Sequence, residues 1–239
     1  MIKRNIYEND DGKSSKGEGK MDNMEFDLMA KKLYSAVISD VLDDLGYTYK
    51  NRVMQANIRP LYPNAVVVGK AVPVIAVDIY EIRDNPYKGE IEYVDSLKKD
   101  DVVVASTRGS DRYGFWGELL STAAQVRGAR GAVIDGYTRD VKKILELKFP
   151  VFTLGIKPLD SKGRSWIYDY NCPAECGGVL VYPGDIVFGD IDGVVVIPKE
   201  AAKETITEAF KKVQKENLTR KMLQEGAYLR DAYKKYGVL

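Results

Sequence analysis

The 239-residue sequence predicts a single α/β domain. Short runs of Val, Ile and Ala, typical of buried strands, alternate with stretches in which apolar residues recur at helical spacing. Several strand-like runs follow one another directly, which argues against a strict βαβ repeat. Apolar residues make up 45% and charged residues 30% of the chain, ordinary values for a globular protein. We expect the domain over residues 24–239, after a polar N-terminal tail over residues 1–23.

In the first half of the chain, an apolar stripe over residues 25–45 predicts a helix that ends at Gly46. Asp40 lies next to that stripe and could face a site, although a solvated helix face is the ordinary explanation for acids here. Two strand-like runs follow at residues 65–69 and 71–77, and a third lies at residues 102–105.

The second half is predicted in the same way. We expect a helix over 141–147, a strand over 151–155 and an irregular loop over 157–174. Residues 178–198 read as short strands joined by Pro-Gly-Asp and Asp-x-Asp-Gly turns. A charged helix is expected from Lys199 to Gly226.

The stretch Gly117–Asp140, GELLSTAAQVRGARGAVIDGYTRD, is the candidate functional region. A helix beginning at Gly117 and ending at Gly128 precedes a buried strand, which an Asp135-Gly136 turn is expected to break. Arg139 and Asp140 follow. A helix N-terminus suits an anion, arginine binds carboxylates through a planar fork, and aspartate holds hard metal ions. If the three share a pocket, its ligand is a small oxoacid chelated to a divalent cation.

Composition excludes several functions. The chain has no histidine, so Ser-His-Asp catalysis and histidine-ligated zinc are excluded. A net charge of +1 and the absence of phosphate-binding glycine motifs give no support for nucleic-acid or nucleotide binding. No apolar run is long enough to cross a membrane, and the N-terminus is unlike a signal peptide, so we expect a cytoplasmic protein. Cys172 and Cys176 are expected to be packing residues.

The candidate region resembles the signature of the RraA-like family, which includes the regulator of ribonuclease activity A and metal-dependent 4-hydroxy-4-methyl-2-oxoglutarate aldolases. The resemblance covers about residues 25–226 and extends to Lys157-Pro, Gly163-Arg, Cys176-Gly-Gly-Val, Pro183-Gly-Asp and Asp190-Ile-Asp-Gly-Val-Val-Val-Ile-Pro. It implies a swivelling β/β/α domain with an N-terminal arm and a C-terminal helix. It also implies a homotrimer or a hexamer built as a dimer of trimers, with active sites between subunits.

The family's aldolases use a divalent metal, Mg²⁺ or Mn²⁺, to chelate the pyruvyl end of the substrate. By the same resemblance, Arg139 contacts the keto or enolate oxygen, and Asp140 is the direct metal ligand. Water held by that metal is then the expected proton carrier. Glu118, and Glu216 from a neighbouring subunit, would hold water bound to the metal. The substrate carboxylate would be bound at the helix start formed by Gly117, Glu118, Leu119 and Leu120.

Alternatives remain open at this point. Arg139 and Asp140 could form a structural ion pair, and Phe115 and Trp116 could line the pocket or pack in the core. Asp185, Asp190 and Asp192 resemble a metal cluster, but their dipeptides are typical of turns. The predicted function is a metal-dependent lyase that cleaves or decarboxylates a pyruvyl-containing oxoacid. A non-catalytic regulator of ribonuclease activity and a lyase or dehydratase acting on a sugar acid are the alternatives.

Overall fold

The structure is a computed structural model that describes residues 23–238. The predicted tail therefore lies outside the described residues, except for Asn23 at the start of α1. The helices are α1 Asn23–Lys32, α2 Ser35–Leu42, α3 Lys88–Ser96, α4 Glu118–Val126, α5 Val141–Leu147, α6 Ala202–Gln224 and α7 Leu229–Tyr236. The strands are β1 Arg59–Pro60, β2 Val67–Asp78, β3 Asp101–Ser106, β4 Gly114–Trp116, β5 Gly131–Thr138, β6 Val151–Ile156, β7 Ser165–Tyr170, β8 Ala174–Cys176, β9 Val179–Val181, β10 Ile186–Asp190 and β11 Gly193–Ile197.

Within residues 23–238, nine strands form one mixed sheet in the order β1-β6-β5-β3-β2-β10-β11, with β4 added beside β5 and β7 beside β2. Strands β2, β3, β5 and β6 are parallel neighbours. The pairs β1–β6, β10–β2, β10–β11 and β7–β2 are antiparallel. Strands β8 and β9 form a separate antiparallel pair. The predicted α/β class is confirmed.

The central strands are buried on both faces, which explains why their sequences are nearly continuous apolar runs. Val103 and Ile134 face a core that α3, α4 and α5 complete. Val104 and Val133 point to the opposite face, where they pack with residues of β8 and β9. A third core lies between the helices α1, α2 and α6 and the strands β10 and β11.

The two strands predicted at residues 65–69 and 71–77 are one strand, β2, which continues through Pro73. Proline cannot donate a backbone hydrogen bond and is normally excluded from central strands. Along one edge of β2, residues 67–70 pair with β10, and residues 74–78 pair with β7. Pro73 lies where the partner changes, so its missing N–H interrupts neither ladder.

The turn predicted at Asp135-Gly136 is wrong, because β5 continues to Thr138. The Asp135 carboxylate accepts backbone N–H groups from Thr107 and Gly177, both distant in sequence. The pairing of β5 with β6 shifts its register between Ile134 and Tyr137. The dipeptide is therefore an irregularity inside a strand, and the strand carries the chain on to the candidate site.

The helix predicted over residues 25–45 is two helices, α1 and α2. The backbone N–H and the hydroxyl of Ser35 donate to the Asp190 carboxylate at 2.8 and 2.7 Å. This contact, across 155 positions of sequence, satisfies donors at the start of α2, much as a local capping residue would. A π-helical turn, Asp43–Tyr47, follows α2, and Gly46 adopts a φ of 86° within it.

Several elements were not predicted, among them β4, β7, α3 and α7. The region predicted as an irregular loop over 157–174 contains β7, whose partner is the second half of β2. The helix α3 was not predicted, although Tyr93, Val94 and Leu97 are spaced as on one helix face and are buried. Strand β7 and helix α3 both contribute to the surroundings of the candidate site.

The predicted C-terminal charged helix is confirmed as α6. Its buried residues Ile206 and Ala209 belong to the core that α2 shares. Among the described residues, no helix combines the length and the apolar character needed to cross a membrane.

We expect Asp190→Ala to lower the free energy of unfolding by about 2 kcal/mol, since it leaves the Ser35 donors and the Asp192 N–H without an acceptor. Urea unfolding followed by circular dichroism measures the change. Asp192→Ala, at an exposed neighbouring position, is the control and should change the free energy by less than about 0.5 kcal/mol. Equal losses in the two variants would contradict the capping role of Asp190.

Candidate functional site

A cavity of about 390 Å³ lies beside the ends of β4 and β5. Five segments line it: the start of α3, β4, the first turn of α4, the connection from β5 to α5, and the loop after β6. Their lining residues are Tyr87, Glu90, Ile91, Gly114, Phe115, Gly117, Leu119, Leu120, Arg139, Asp140, Asp160 and Ser161. The volume is near the lower end of the range for small-molecule sites.

Parallel pairing of β4 with β5 brings the two halves of the predicted signature together. The carboxyl ends of parallel strands meet at one edge of a sheet, where ligands of α/β proteins commonly bind. The Arg139 N–H donates to the Trp116 carbonyl at 2.8 Å, so the chain leaving β5 runs beside the chain leaving β4. A Cβ atom added at Gly117 would lie 2.7 Å from Asp140 Oδ2, so this close approach requires glycine.

Asp140 adopts a left-handed backbone conformation, with φ 58° and ψ 29°, immediately before α5. Aspartate tolerates this conformation better than most residues, but it remains uncommon. The carboxylate oxygen Oδ2 accepts the Glu118 N–H at 3.3 Å, at the start of α4. Residues in rare backbone conformations are frequent at functional sites, so this geometry marks Asp140 as a candidate.

Arg139 lies between two carboxylates. Its Nε is 3.5 Å from Asp140 Oδ2, and its Nη1 is 3.1 Å from Asp160 Oδ1. Asp160 also accepts the Ser161 N–H at 2.9 Å and a hydrogen bond from the Tyr87 hydroxyl. The guanidinium is thus held on two sides at the cavity, and its side chain is 34% exposed.

The first turn of α4 supplies unpaired backbone donors. The first helical bond runs from the Ser121 N–H to the Gly117 carbonyl, at 3.1 Å. The N–H groups of Leu119 and Leu120 precede it, and both residues line the cavity. Such N–H groups have no helical acceptor and, with the helix dipole, favour an anion.

The structure places Glu118 differently from the other predicted residues. Its N–H reaches Asp140, but its side chain is not among the lining groups, and its Oε1 accepts the Thr122 hydroxyl at 2.9 Å. Glu216 lies on α6, half-buried, and is not part of this cavity within one chain. Burial raises the pKa of Glu216, and the charge of Arg220 opposes that rise. The roles of both glutamates in holding metal-bound water stay predictions.

Glu90, in the first turn of α3, was not predicted as a site residue. The residue is only 8% exposed, and it lines the cavity. Burial raises the pKa of its carboxyl to about 7; the charge of Asp160 adds to the rise, while a hydrogen bond with Ser161 and the charge of Arg139 oppose it. The helical spacing of the residues that follow it could have revealed α3, but nothing local indicated a buried acid.

Phe115 and Trp116, for which pocket lining and core packing were both possible, have different positions. Phe115 lines the cavity, whereas Trp116 is fully buried in the core, and its indole N–H donates to Ser121 at 2.8 Å. Asp185 accepts the N–H groups of Tyr182 and Lys199. Like Asp190 at the start of α2, it therefore has a structural use, as the turn interpretation predicts.

The donor set suits a cation such as Mg²⁺ that keeps most of its waters. Among residues 23–238 there is no group of three or more acidic or cysteine side chains arranged to hold a metal. Magnesium commonly uses one or two protein carboxylates, with water and substrate as its other ligands. Of the described residues, three acids and one arginine line the cavity, so its charge favours a cation. Asp140 is the acid closest to the start of α4 and fits a single direct ligand.

Comparison with known proteins gives the family. A family model described as Aldolase/RraA matches residues 36–196. The chain belongs to the RraA-like family. An uncharacterized protein of Methanocaldococcus jannaschii is 38% identical over 177 residues, which cover 73% of this chain and 81% of that protein.

Two further RraA-like relatives carry descriptions. A Halalkalibacterium halodurans protein, named as a proposed 4-hydroxy-4-methyl-2-oxoglutarate aldolase, is 31% identical over 189 residues, covering 79% of this chain and 84% of its own. The structure of Streptomyces coelicolor RraAS2, described as an unusual member of the RNase ES inhibitor RraA protein family, matches with a TM-score of 0.73 and 28% identity. The match covers 83% of this chain and 98% of the RraAS2 chain. The predicted family and its fold are confirmed.

We expect Glu90→Gln to flatten the pH dependence of stability. The pKa of Glu90 is about 7 in the folded protein, whereas the ordinary pKa of a glutamate is 4.5. The stability that Glu90 contributes is therefore fully present below about pH 4.5 and is lost as the pH rises through about 7. The variant should resemble wild type near pH ~5 and exceed it by up to ~3 kcal/mol above pH ~8.

Urea unfolding across this pH range measures the effect. Glu92→Gln, at an exposed position of the same helix, should keep the wild-type pH dependence. A constant difference between Glu90→Gln and wild type at every pH would show that Glu90 does not titrate in this window.

Proposed function

We propose that this chain is a divalent-metal-dependent carbon–carbon lyase acting on a small pyruvyl-containing oxoacid, by aldol cleavage, decarboxylation or both. The observation that carries the proposal is the convergence of Arg139, Asp140 and the first turn of α4 on one small cavity. The proposed aldolase function of the Halalkalibacterium halodurans relative supports the same reaction class.

The two ends of a 2-oxoacid fit two parts of the cavity. The carboxylate suits the unpaired N–H groups of Leu119 and Leu120, which offer hydrogen bonds and the positive end of a helix dipole. The keto oxygen suits Arg139, whose guanidinium is held at the cavity by Asp160. This arrangement stabilises negative charge on that oxygen as the carbon–carbon bond breaks.

Asp140 would hold the divalent cation. When bound, such a cation supplies Lewis-acid stabilisation of the keto oxygen. The Asp140 carboxylate projects beside the start of α4, so a cation held there would lie close to the N–H groups proposed to bind the substrate carboxylate. Gly117 keeps this approach open, because any side chain there would contact Asp140.

A second candidate is a regulator of ribonuclease activity that acts by binding another protein. The similarity to Streptomyces coelicolor RraAS2 favours it. The Arg139–Asp140 pair does not separate the two functions, since regulators of the family can keep it; turnover of an oxoacid does.

Release of pyruvate from a panel of 4-hydroxy-2-oxoacids and oxaloacetate tests the proposal. Each substrate is assayed with Mg²⁺, with Mn²⁺ and with EDTA. We expect turnover of at least one substrate with a metal and none with EDTA. Failure on every oxoacid with either metal would overturn the lyase proposal, and binding to a ribonuclease would then favour the regulator.

We expect Asp140→Ala to abolish metal-dependent turnover, because it removes the proposed direct ligand. Asp111→Ala is the control, since Asp111 is an exposed acid that pairs with Lys157 at 3.7 Å. Steady-state kinetics and calorimetric titration of Mg²⁺ give activity and metal affinity. Normal turnover in Asp140→Ala would remove that residue from the mechanism.

Arg139→Lys should lower kcat by roughly 100-fold or more, since an ammonium group cannot reproduce the planar fork that reaches Asp160 and the substrate together. The matched change Arg127→Lys affects an arginine that pairs with Asp95 away from the cavity, and it should leave kcat near wild type. If Arg139→Lys is as active as Arg127→Lys, then charge alone, without the fork, suffices.

A further inference from the structure

Glu90 lies in the wall of the cavity that contains Arg139 and Asp140, and the proposed function so far gives it no role. Acids in the first turn of a helix are ordinarily solvated side chains that interact with the helix dipole. Glu90 is instead 8% exposed. Its burial beside a cavity therefore calls for an explanation beyond helix stability, because burying a carboxyl group is unfavourable unless it is compensated.

The position of Glu90 is fixed by packing on both sides. A Cβ atom added at the preceding Gly89 would lie 2.6 Å from Ile167 Cβ, so the first turn of α3 is pressed against β7. Ser161, 4% exposed, hydrogen-bonds the Glu90 carboxyl from the loop after β6. The carboxyl is thus held at the cavity by two elements, neither of which carries the Arg139–Asp140 pair.

The charges around Glu90 leave it without a close ionic partner. Within residues 23–238, no lysine or arginine nitrogen lies within 4.0 Å of its carboxylate. The charge of Asp160 repels the Glu90 carboxylate. The charge of Arg139 attracts the Glu90 carboxylate, but Arg139 lies closer to Asp160, at 3.1 Å. Tyr113 and Tyr87 are the other titratable groups that interact with it, and Glu90 raises the pKa of both.

Asp160 and Asp140 are engaged differently. Asp160 is bound by Arg139, the Ser161 N–H and Tyr87, and Asp140 is bound by Arg139 and the Glu118 N–H. Both aspartates therefore have ionic and hydrogen-bond partners at the cavity. Glu90, whose pKa is raised to about 7 chiefly by burial, can gain and lose a proton near neutral pH.

We propose that Glu90 is the proton-transferring catalytic residue of this site, which accepts a proton from the substrate hydroxyl and returns it to carbon. The assignment rests on the proposed lyase function. In this proposal a side chain, and not metal-bound water, carries the proton. The chain has no histidine that could do so.

In the cleavage direction the step balances without another reactant. The Glu90 carboxylate takes the proton of the C4 hydroxyl, the C3–C4 bond breaks, and C4 becomes a carbonyl carbon. The electron pair of that bond forms the C2–C3 double bond of the enolate, whose oxygen charge faces Arg139. Glu90 then gives the same proton to C3, which yields pyruvate and restores the carboxylate.

The decisive measurement is exchange of the pyruvate methyl protons with D₂O, followed by NMR with Mg²⁺ present. Exchange requires proton transfer at C3 but no carbon–carbon cleavage. In wild type we expect the exchange rate to rise with pH through about 7, as Glu90 ionises. Glu90→Gln should lower exchange and the kcat of aldol cleavage by about 100-fold or more, with KM changed by less than about threefold, and should lose the inflection.

Oxaloacetate decarboxylation shows whether Glu90→Gln impairs proton transfer alone or damages the whole site. Its carbon–carbon bond breaks without removal of a hydroxyl proton, so Glu90→Gln should reduce it by a much smaller factor than aldol cleavage. Glu90→Asp keeps a carboxyl group one methylene shorter, and it should retain the pH inflection at a reduced rate. The control Glu92→Gln should behave as wild type.

The outcomes distinguish the assignment from the function on which it rests. Wild-type exchange in Glu90→Gln, together with loss of activity in Asp140→Ala, would overturn the role of Glu90 and leave the lyase function standing. Equal losses of exchange, cleavage and decarboxylation in Glu90→Gln would make the residue structural and likewise overturn the proposal. A wild-type protein without any of the three activities would overturn both.

Discussion

The site depends on the parallel pairing of β4 with β5. That pairing is short, yet two further contacts reinforce it where the strands end. The Trp116 carbonyl accepts both the Arg139 N–H at 2.8 Å and the Thr138 hydroxyl at 2.7 Å. Two segments more than twenty residues apart in sequence are thereby held side by side, and the start of α4 lies against the Asp140 carboxylate. Without this alignment, the helix N-terminus and the arginine would not face a common ligand.

Charge balance is the second constraint on the cavity. Arg139 is shared by Asp140 and Asp160, so one cation offsets two acids, and Glu90 lies nearby with its proton partly retained. Asp140 Oδ2 is contacted by both Arg139 and the Glu118 N–H. Under the proposed function, Asp140 would hold the divalent cation, and Arg139, kept at the cavity by Asp160, would bind the keto oxygen of the substrate.

The sequence predicted those parts of the molecule whose cause is local. Helices α5 and α6, strand β6 and the α/β class followed from periodicity and from turn residues. The start of α4, with Arg139 and Asp140 in the next connection, followed from a contiguous signature. The grouping of Arg139, Asp140, Leu119 and Leu120 at one cavity was therefore foreseeable, although their chemical roles remain predictions.

What escaped prediction has its cause in distant contacts. Residues 65–69 and 71–77 were predicted as two strands, but they form one strand, β2, whose first part pairs with β10 and whose second part pairs with β7. Asp135-Gly136 has the composition of a turn, but Thr107 and Gly177 bind the carboxylate and keep the dipeptide within β5. Glu90 looks like an ordinary first-turn acid. Its burial depends on distant residues, because Gly89 brings the first turn of α3 against Ile167 of β7.

The features that make the site unusual are each unfavourable on their own. The left-handed backbone of Asp140 costs on the order of 1 kcal/mol, and an ionised Glu90 in this position costs more at high pH. The core directly beneath offsets both, because Tyr93, Trp116 and Ile144 are fully buried there and anchor α3, the end of β4 and α5. Each element that presents a site residue is therefore fixed by an apolar side chain within a few positions of it. Loosening that core would relax Asp140 and hydrate Glu90 together, so the same packing maintains both the fold and the chemistry proposed for it.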